Sequence, residues 1–177
     1  MLGDEAWYLE KIASHETASF TASKLHVLRL RPNEDLLQSL WRYARVTNTK
    51  ALSIVSAVGS LTTTNIRYAN DENGTSLTGH FEIVSLVGNI DLQDTDKLTT
   101  QYSSELIALD RKGSGHVHIS VSDEQGQTIG GHLLSGNVIY TTAEITLVEM
   151  PFGRFARELD DGPKGSGYYE LKVYHDV

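Results

Sequence analysis

Gly115-His116-Val117-His118-Ile119-Ser120-Val121-Ser122, followed by Asp123-Glu124-Gln125-Gly126-Gln127 and then Thr128-Ile129-Gly130-Gly131-His132, has the pattern of two strands joined by a tight turn. Its first segment alternates. His116, His118, Ser120 and Ser122 fall on one face and Val117, Ile119 and Val121 on the other, which predicts a half-buried strand. The middle segment fits a three-residue hairpin loop, with Gly126 where the left-handed residue must stand and Asp123 at the favoured first turn position. In that register Asp123 faces Gln127, Ser120 faces Gly130 and His118 faces His132. Facing residues share one side of a sheet with Cβ atoms about 4.5–5.5 Å apart, so His116, His118 and His132 form a triangle. A two-residue loop would instead send His132 to the opposite face.

Three neutral imidazoles suit zinc or a similar divalent metal, with the fourth coordination position left to water or substrate. Gly130 and Gly131 beside them leave space for a ligand, and His118, between the other two, is the expected key residue. The same spacing also describes ordinary histidines on a polar sheet face. His80 and Glu82 share a face as well and could line a site, although polar-face residues behave in the same way. His15, His26 and His175 show no partner pattern. The chain has no P-loop, no Gly-rich dinucleotide signature and no nucleophile-elbow serine.

Outward from the hairpin, strands predominate. Residues 25–31 read as a strand. Asn33 is a candidate helix N-cap, with Glu34 and Asp35 in the first turn. Leu36, Leu37, Leu40, Trp41 and Ala44 then form one apolar helical face, which Asn48 stops. Ala51 to Val58 reads as a buried strand ended by Gly59-Ser60, and Leu61 to Ala69 as a second. Asn70, Asp71, Asn73 and Gly74 mark a turn before a long strand from Leu77 to Ile90. Strands are expected at 127–135, 137–149 and 168–174. Phe152, Phe155 and Leu159 stand at helical spacing between them. Short turns joining the strands from 115 to 149 imply an antiparallel sheet with helices packed on it, an α+β fold. The expected organisation is an N-terminal extension over 1–23 and one domain over 24–177, with an insertion at 91–113.

The composition narrows the classes. The 177 residues are 40% hydrophobic and suit a folded domain. No cysteine is present, so disulfides and thiolate metal sites are excluded. No apolar run reaches the roughly 18–20 residues of a membrane span, and the N-terminus is too acidic for a secretory signal. A cytoplasmic protein with no membrane partner is the expectation. The net charge of −8 disfavours direct DNA binding, because phosphate neutralisation needs clustered Lys and Arg.

These residues resemble a family. Gly79-His80-Phe81-Glu82-Ile83-Val84-Ser85-Leu86-Val87-Gly88 looks like the signature strand of the PPC (plants and prokaryotes conserved) domain. His116-Val117-His118 with Gly126, Gly130-Gly131-His132-Leu133 and Gly136 is similar to its second signature, and Ala57-Val58-Gly59-Ser60-Leu61 fits too. The resemblance covers roughly 24–175. It implies an antiparallel β-sheet flanked by helices and assembled as a homotrimer. Plant members sit beside AT-hooks in nuclear DNA-binding proteins. Prokaryotic members are stand-alone, are often labelled as DNA-binding, and some carry a metal. The fold is also similar to that of acetolactate decarboxylase, whose zinc is held by a His-x-His pair and a later histidine, the pattern of His116, His118 and His132. No Arg-Gly-Arg-Pro hook occurs in this sequence. The functional expectation is a trimeric, metal-containing interaction or regulatory module with a protein partner or small-molecule ligand. The alternative is a zinc-dependent enzyme acting on a small carbonyl or ester substrate, with no catalytic residue assigned.

Overall fold

A computed structural model describes residues 23–92 and 115–175. The expected extension over 1–23 lies almost wholly outside these residues, and so does the expected insertion after Leu92. The described elements, in chain order, are β1 (Lys24–Leu30), α1 (Leu36–Thr47), β2 (Ala51–Arg67), β3 (Thr75–Asp91), β4 (Gly115–Ser122), β5 (Thr128–Leu133), β6 (Val138–Glu149), β7 (Gly153–Leu159) and β8 (Tyr169–His175). Strands 1 to 6 form a six-stranded sheet in the order β1-β6-β2-β3-β4-β5, and β7 and β8 form a separate two-stranded ribbon. Every pairing is antiparallel, as the short turns predict.

The helix has the expected apolar face. Leu36, Leu37, Leu40, Trp41 and Ala44 are buried in one cluster with Leu52, Ile54, Ile83, Leu86, Ile90, Ile145 and Leu147 of the sheet. Burial of this kind stabilises at roughly 25 cal/mol per Å² of apolar surface and accounts for a helix of modest intrinsic length. Its cap differs from expectation. Asn33 takes a left-handed turn conformation, φ 69°, and the N-cap is Asp35, whose Oδ1 accepts from the Gln38 amide at 2.8 Å. Asp35 Oδ2 accepts a second bond from the Gly136 amide, fastening the helix start to the β5–β6 connection. Asn48 closes the helix at φ 52°, as expected.

Two strand assignments need correction. Ala51–Arg67 is one long strand, not two: Gly59 pairs with Ala143, and bulges near 54–56 and 59–63 bend the strand without ending it. Residues 153–159 are β7 rather than a helix. Only Phe155 is buried, while Phe152 and Leu159 remain exposed. Pairing with β8 and the Phe155 amide bond to the Lys50 carbonyl outweigh a three-residue helical spacing. Among the described residues α1 is the one helix, so a single helix covers the sheet. None is long and apolar enough to cross a membrane.

The bend in β2 positions the hairpin. Its main length pairs with β6, but its end pairs with β5 through Ile66–Leu133 and Arg67–His132. β5 therefore has β4 on one side and β2 on the other, and the sheet closes on itself. Buried Asn137 locks the closure. Its Oδ1 accepts from Thr64 Oγ1 and the Asn65 amide, and its Nδ2 donates to the Asn65 and Leu134 carbonyls.

Candidate functional site

The β4–β5 hairpin has the register that the turn residues predict. His118 faces His132, Ser120 faces Gly130, and Ser122 faces Thr128. Gly126 is left-handed at φ 75°. The Asp123 amide donates to the Gln127 carbonyl, and Asp123 Oδ1 accepts from the Gln125 and Gln127 amides. The apolar face, Val117, Ile119 and Val121, is buried in the core, so the histidines must point the other way.

His116, His118 and His132 accordingly meet. Their ligand nitrogens all lie within 4.8 Å of one another, and His116 Nε2 is 3.0 Å from His118 Nε2. Two nitrogens about 2.0–2.1 Å from one tetrahedral ion stand at a comparable separation. The ring centroids are 4.8, 5.4 and 5.7 Å apart, so the triangle is nearly equilateral and His118 is not central, contrary to expectation. Among the described residues this metal-competent group contains no carboxylate.

The electrostatics favour the neutral form of His116 and His132. Burial, followed by the charges of His116, Arg67, His118 and Arg157, pushes His132 down to about 4. His116 is also lowered, first by burial and then by His118, Arg157 and Arg67, against an opposing effect of Glu170. His132 Nδ1 is buried with no hydrogen-bond partner. A buried polar nitrogen without a partner calls for an ion or an ordered water, and neutral imidazole is the form a metal binds. The residues present therefore fit a divalent ion.

Other expectations fare differently. Gly130 and Gly131 do not open ligand space. A Cβ on Gly130 would lie 2.8 Å from the Ile119 carbonyl oxygen, and one on Gly131 would lie 2.5 Å from that of Arg67. They are small so that β5 can sit tightly between β4 and β2. Glu82 pairs with Ser122, four residues and about 13 Å of strand from His118. His80 stacks on Tyr140 and reaches Glu124, also away from the histidines. His26, read as partnerless, bridges Tyr43 at 2.6 Å and Glu149 at 2.9 Å. Three charged residues near the site gave no sequence signal. Arg67 faces His132 through the closure. Arg157 of β7 lies 3.8 Å from Asp91, their side chains 5% and 0% exposed. That separation permits attraction but exceeds hydrogen-bond range, and both Asp91 oxygens and Arg157 Nε lack hydrogen bonds. Burial, partly offset by Arg157, pushes Asp91 up to about 7.

Comparison with known proteins agrees with this architecture. The chain is 37% identical over 150 residues to the bifunctional protein GlmU of Synechococcus sp. (strain JA-2-3B'a(2-13)), a match covering 85% of this chain but 20% of that relative's length. The fold superposes on a hypothetical protein from Salmonella cholerae-suis at 31% identity and TM-score 0.75, covering 92% of this chain and 100% of the other. It also superposes on a metal-containing protein from Archaeoglobus fulgidus at 21% identity and TM-score 0.66, covering 89% and 99%. Residues 17–151 match the Plants and Prokaryotes Conserved (PCC) domain, and the chain belongs to that family.

Proposed function

We propose that this chain is a metal-containing interaction or regulatory module that works as a homotrimer, with His116, His118 and His132 holding zinc or a similar divalent ion. The observation that carries the metal reading is the convergence of three ring nitrogens within 4.8 Å, one of them belonging to His132, whose buried Nδ1 has no hydrogen-bond partner. The metal-containing Archaeoglobus protein of the same fold supports it. The trimer rests on the family resemblance and on the apolar side chains exposed on the outer face of the sheet, Leu25, Val27 and Val58. The chain is expected in the cytoplasm, with a protein partner or a small molecule as its further ligand. DNA affinity is expected to be weak and non-specific, because net charge −8 opposes phosphate contact. Glu82, the candidate base of the zinc-enzyme alternative, lies far from the histidines.

Elemental analysis of purified protein, read together with its native mass, tests this proposal. The expected result is one divalent ion per chain in a particle of three chains. His132→Ala and His118→Ala should each lower metal content about tenfold or more while preserving the β-sheet spectrum, since the apolar face of β4 is untouched. Wild-type protein that takes up no ion from excess zinc at neutral pH would sink the metal reading. A monomer at micromolar concentration would sink the trimer.

A further inference from the structure

Two side chains of β3 flank the histidines. Asn89 stands directly opposite His116 in the β3–β4 ladder, and Val87 stands opposite His118. Facing residues share one side of a sheet with Cβ atoms about 4.5–5.5 Å apart, so both lie on the histidine face. Burial agrees with the register. Leu86 and Ile119, the next facing pair, are buried in the core, whereas Val87 is 51% exposed and Asn89 half-buried. The histidines thus have a polar neighbour beside His116 and an apolar one beside His118, roughly 7 Å apart along the strand.

Ser53 aims the polar neighbour. It faces Asn89 from β2, on the opposite side of β3 from β4, and its hydroxyl donates to Asn89 Oδ1 at 2.7 Å. The oxygen end of the planar amide is thereby turned to β2. The nitrogen end, with its two N–H donors, is turned toward β4 and His116. Three neutral imidazoles leave the charge of a divalent ion uncompensated, so an anion suits the fourth position. A carboxylate has two oxygens, one for the ion and one to accept from Asn89 Nδ2, and such a bond to an ionised acceptor is among the stronger ones. Val87 offers apolar surface to the carbon chain attached to it, which a phosphate lacks.

We propose that Asn89, oriented by Ser53, and Val87 form a ligand subsite beside the three histidines, and that the subsite takes a small aliphatic carboxylate. This inference rests on the metal reading above and names the class of ligand for the fourth position. Asn89 holds the second carboxylate oxygen and Val87 the chain, so β3 sets the preference of a site whose metal ligands all come from β4 and β5.

Cobalt loaded in place of zinc gives visible absorption bands that respond to the fourth ligand. The experiment measures cobalt content first, then titrates the loaded protein with acetate in one arm and butyrate in the other. A saturating spectral change is expected in both, with butyrate binding about threefold or more tighter than acetate. Asn89→Ala should weaken butyrate binding about tenfold at unchanged cobalt content and unchanged acid-free spectrum. Ser53→Ala, which frees the amide without removing it, should fall between. No response to either acid overturns the subsite, and so does butyrate affinity per bound cobalt that is unchanged in Asn89→Ala. Butyrate no tighter than acetate overturns the aliphatic assignment. An Asn89→Ala protein that loses cobalt, or whose acid-free spectrum already differs from wild type, would show that Asn89 shapes the metal ligands rather than the fourth position, and also overturns the subsite. Wild-type protein that takes up no cobalt overturns the metal reading itself, whereas cobalt uptake without an acid response overturns the subsite alone.

Discussion

His132 and Asp91 respond to acid in opposite directions, and both contribute to the pH dependence of the metal-free protein. An unfolded histidine takes up its proton near 6.5, whereas folded His132 resists until about 4. The unfolded chain therefore binds more protons between those values, and His132 makes stability fall as the pH drops from about 6.5 to about 4. Asp91 has the reverse linkage. Its folded carboxyl holds a proton up to about 7, against 3.8 when unfolded, so it makes stability rise as the pH drops from about 7 toward 3.8. The two windows overlap and partly cancel. Asp91→Asn removes one slope, and urea unfolding of the metal-free variant at pH 7, 5.5 and 4 should show a steeper acid loss than wild type. An equal or shallower loss would show that Asp91 does not hold its proton in the fold. The same shift at His132 extends metal binding to lower pH than a free imidazole would allow, because fewer protons compete there.

Two glycines of the hairpin serve different needs, and alanine at each should separate them. At Gly126 an added Cβ meets nothing within 4 Å, so Gly126→Ala carries only the left-handed backbone cost, about 1 kcal/mol. At Gly131 the same Cβ would lie 2.5 Å from the Arg67 carbonyl oxygen, and β5 must move away from β2. Gly131→Ala should therefore destabilise more in urea titration, and it should disturb the His132 ring signals that Gly126→Ala leaves alone. Equal effects would mean that the closure is not tight. The hairpin itself was legible in the sequence because turn chemistry and side-chain alternation are local: Asp123, Gly126 and the Val117-Ile119-Val121 face sufficed to place three histidines. The end of β2 was not legible. Its exchange of β6 for β5 depends on Asn137 meeting Thr64 and Asn65, a contact between distant segments. Arg67 was missed for the same reason, since it reaches His132 through a pairing that local spacing does not encode, and so was the approach of Arg157 to Asp91, which joins two distant segments. The β7 segment misled because a few apolar residues at helical intervals also fit a strand whose partner lies beyond a loop.

Across the molecule, the sheet buries one face under α1 and leaves apolar residues on the other. Leu25, Val27 and Val58 are 72%, 79% and 69% exposed, on the strands β1 and β2 that flank β6. Large apolar side chains exposed together on one face are candidates for a contact site. Val27→Asp combined with Val58→Asp should convert the expected trimer to monomer in sedimentation while the single-chain spectrum persists. A trimer that survives the double change would place the subunit contact elsewhere. The closure of β2 onto β5 also separates two properties of the candidate site. The three imidazoles come from a single hairpin, whose short loop is among the least costly to close and the earliest to form. Arg67 joins them only when a remote strand end has docked. Much of the chelating power is thus present in a chain that has not yet folded. Binding to that ensemble subtracts from the gain on folding, so metal is expected to raise the melting temperature by less than its affinity for the native protein implies.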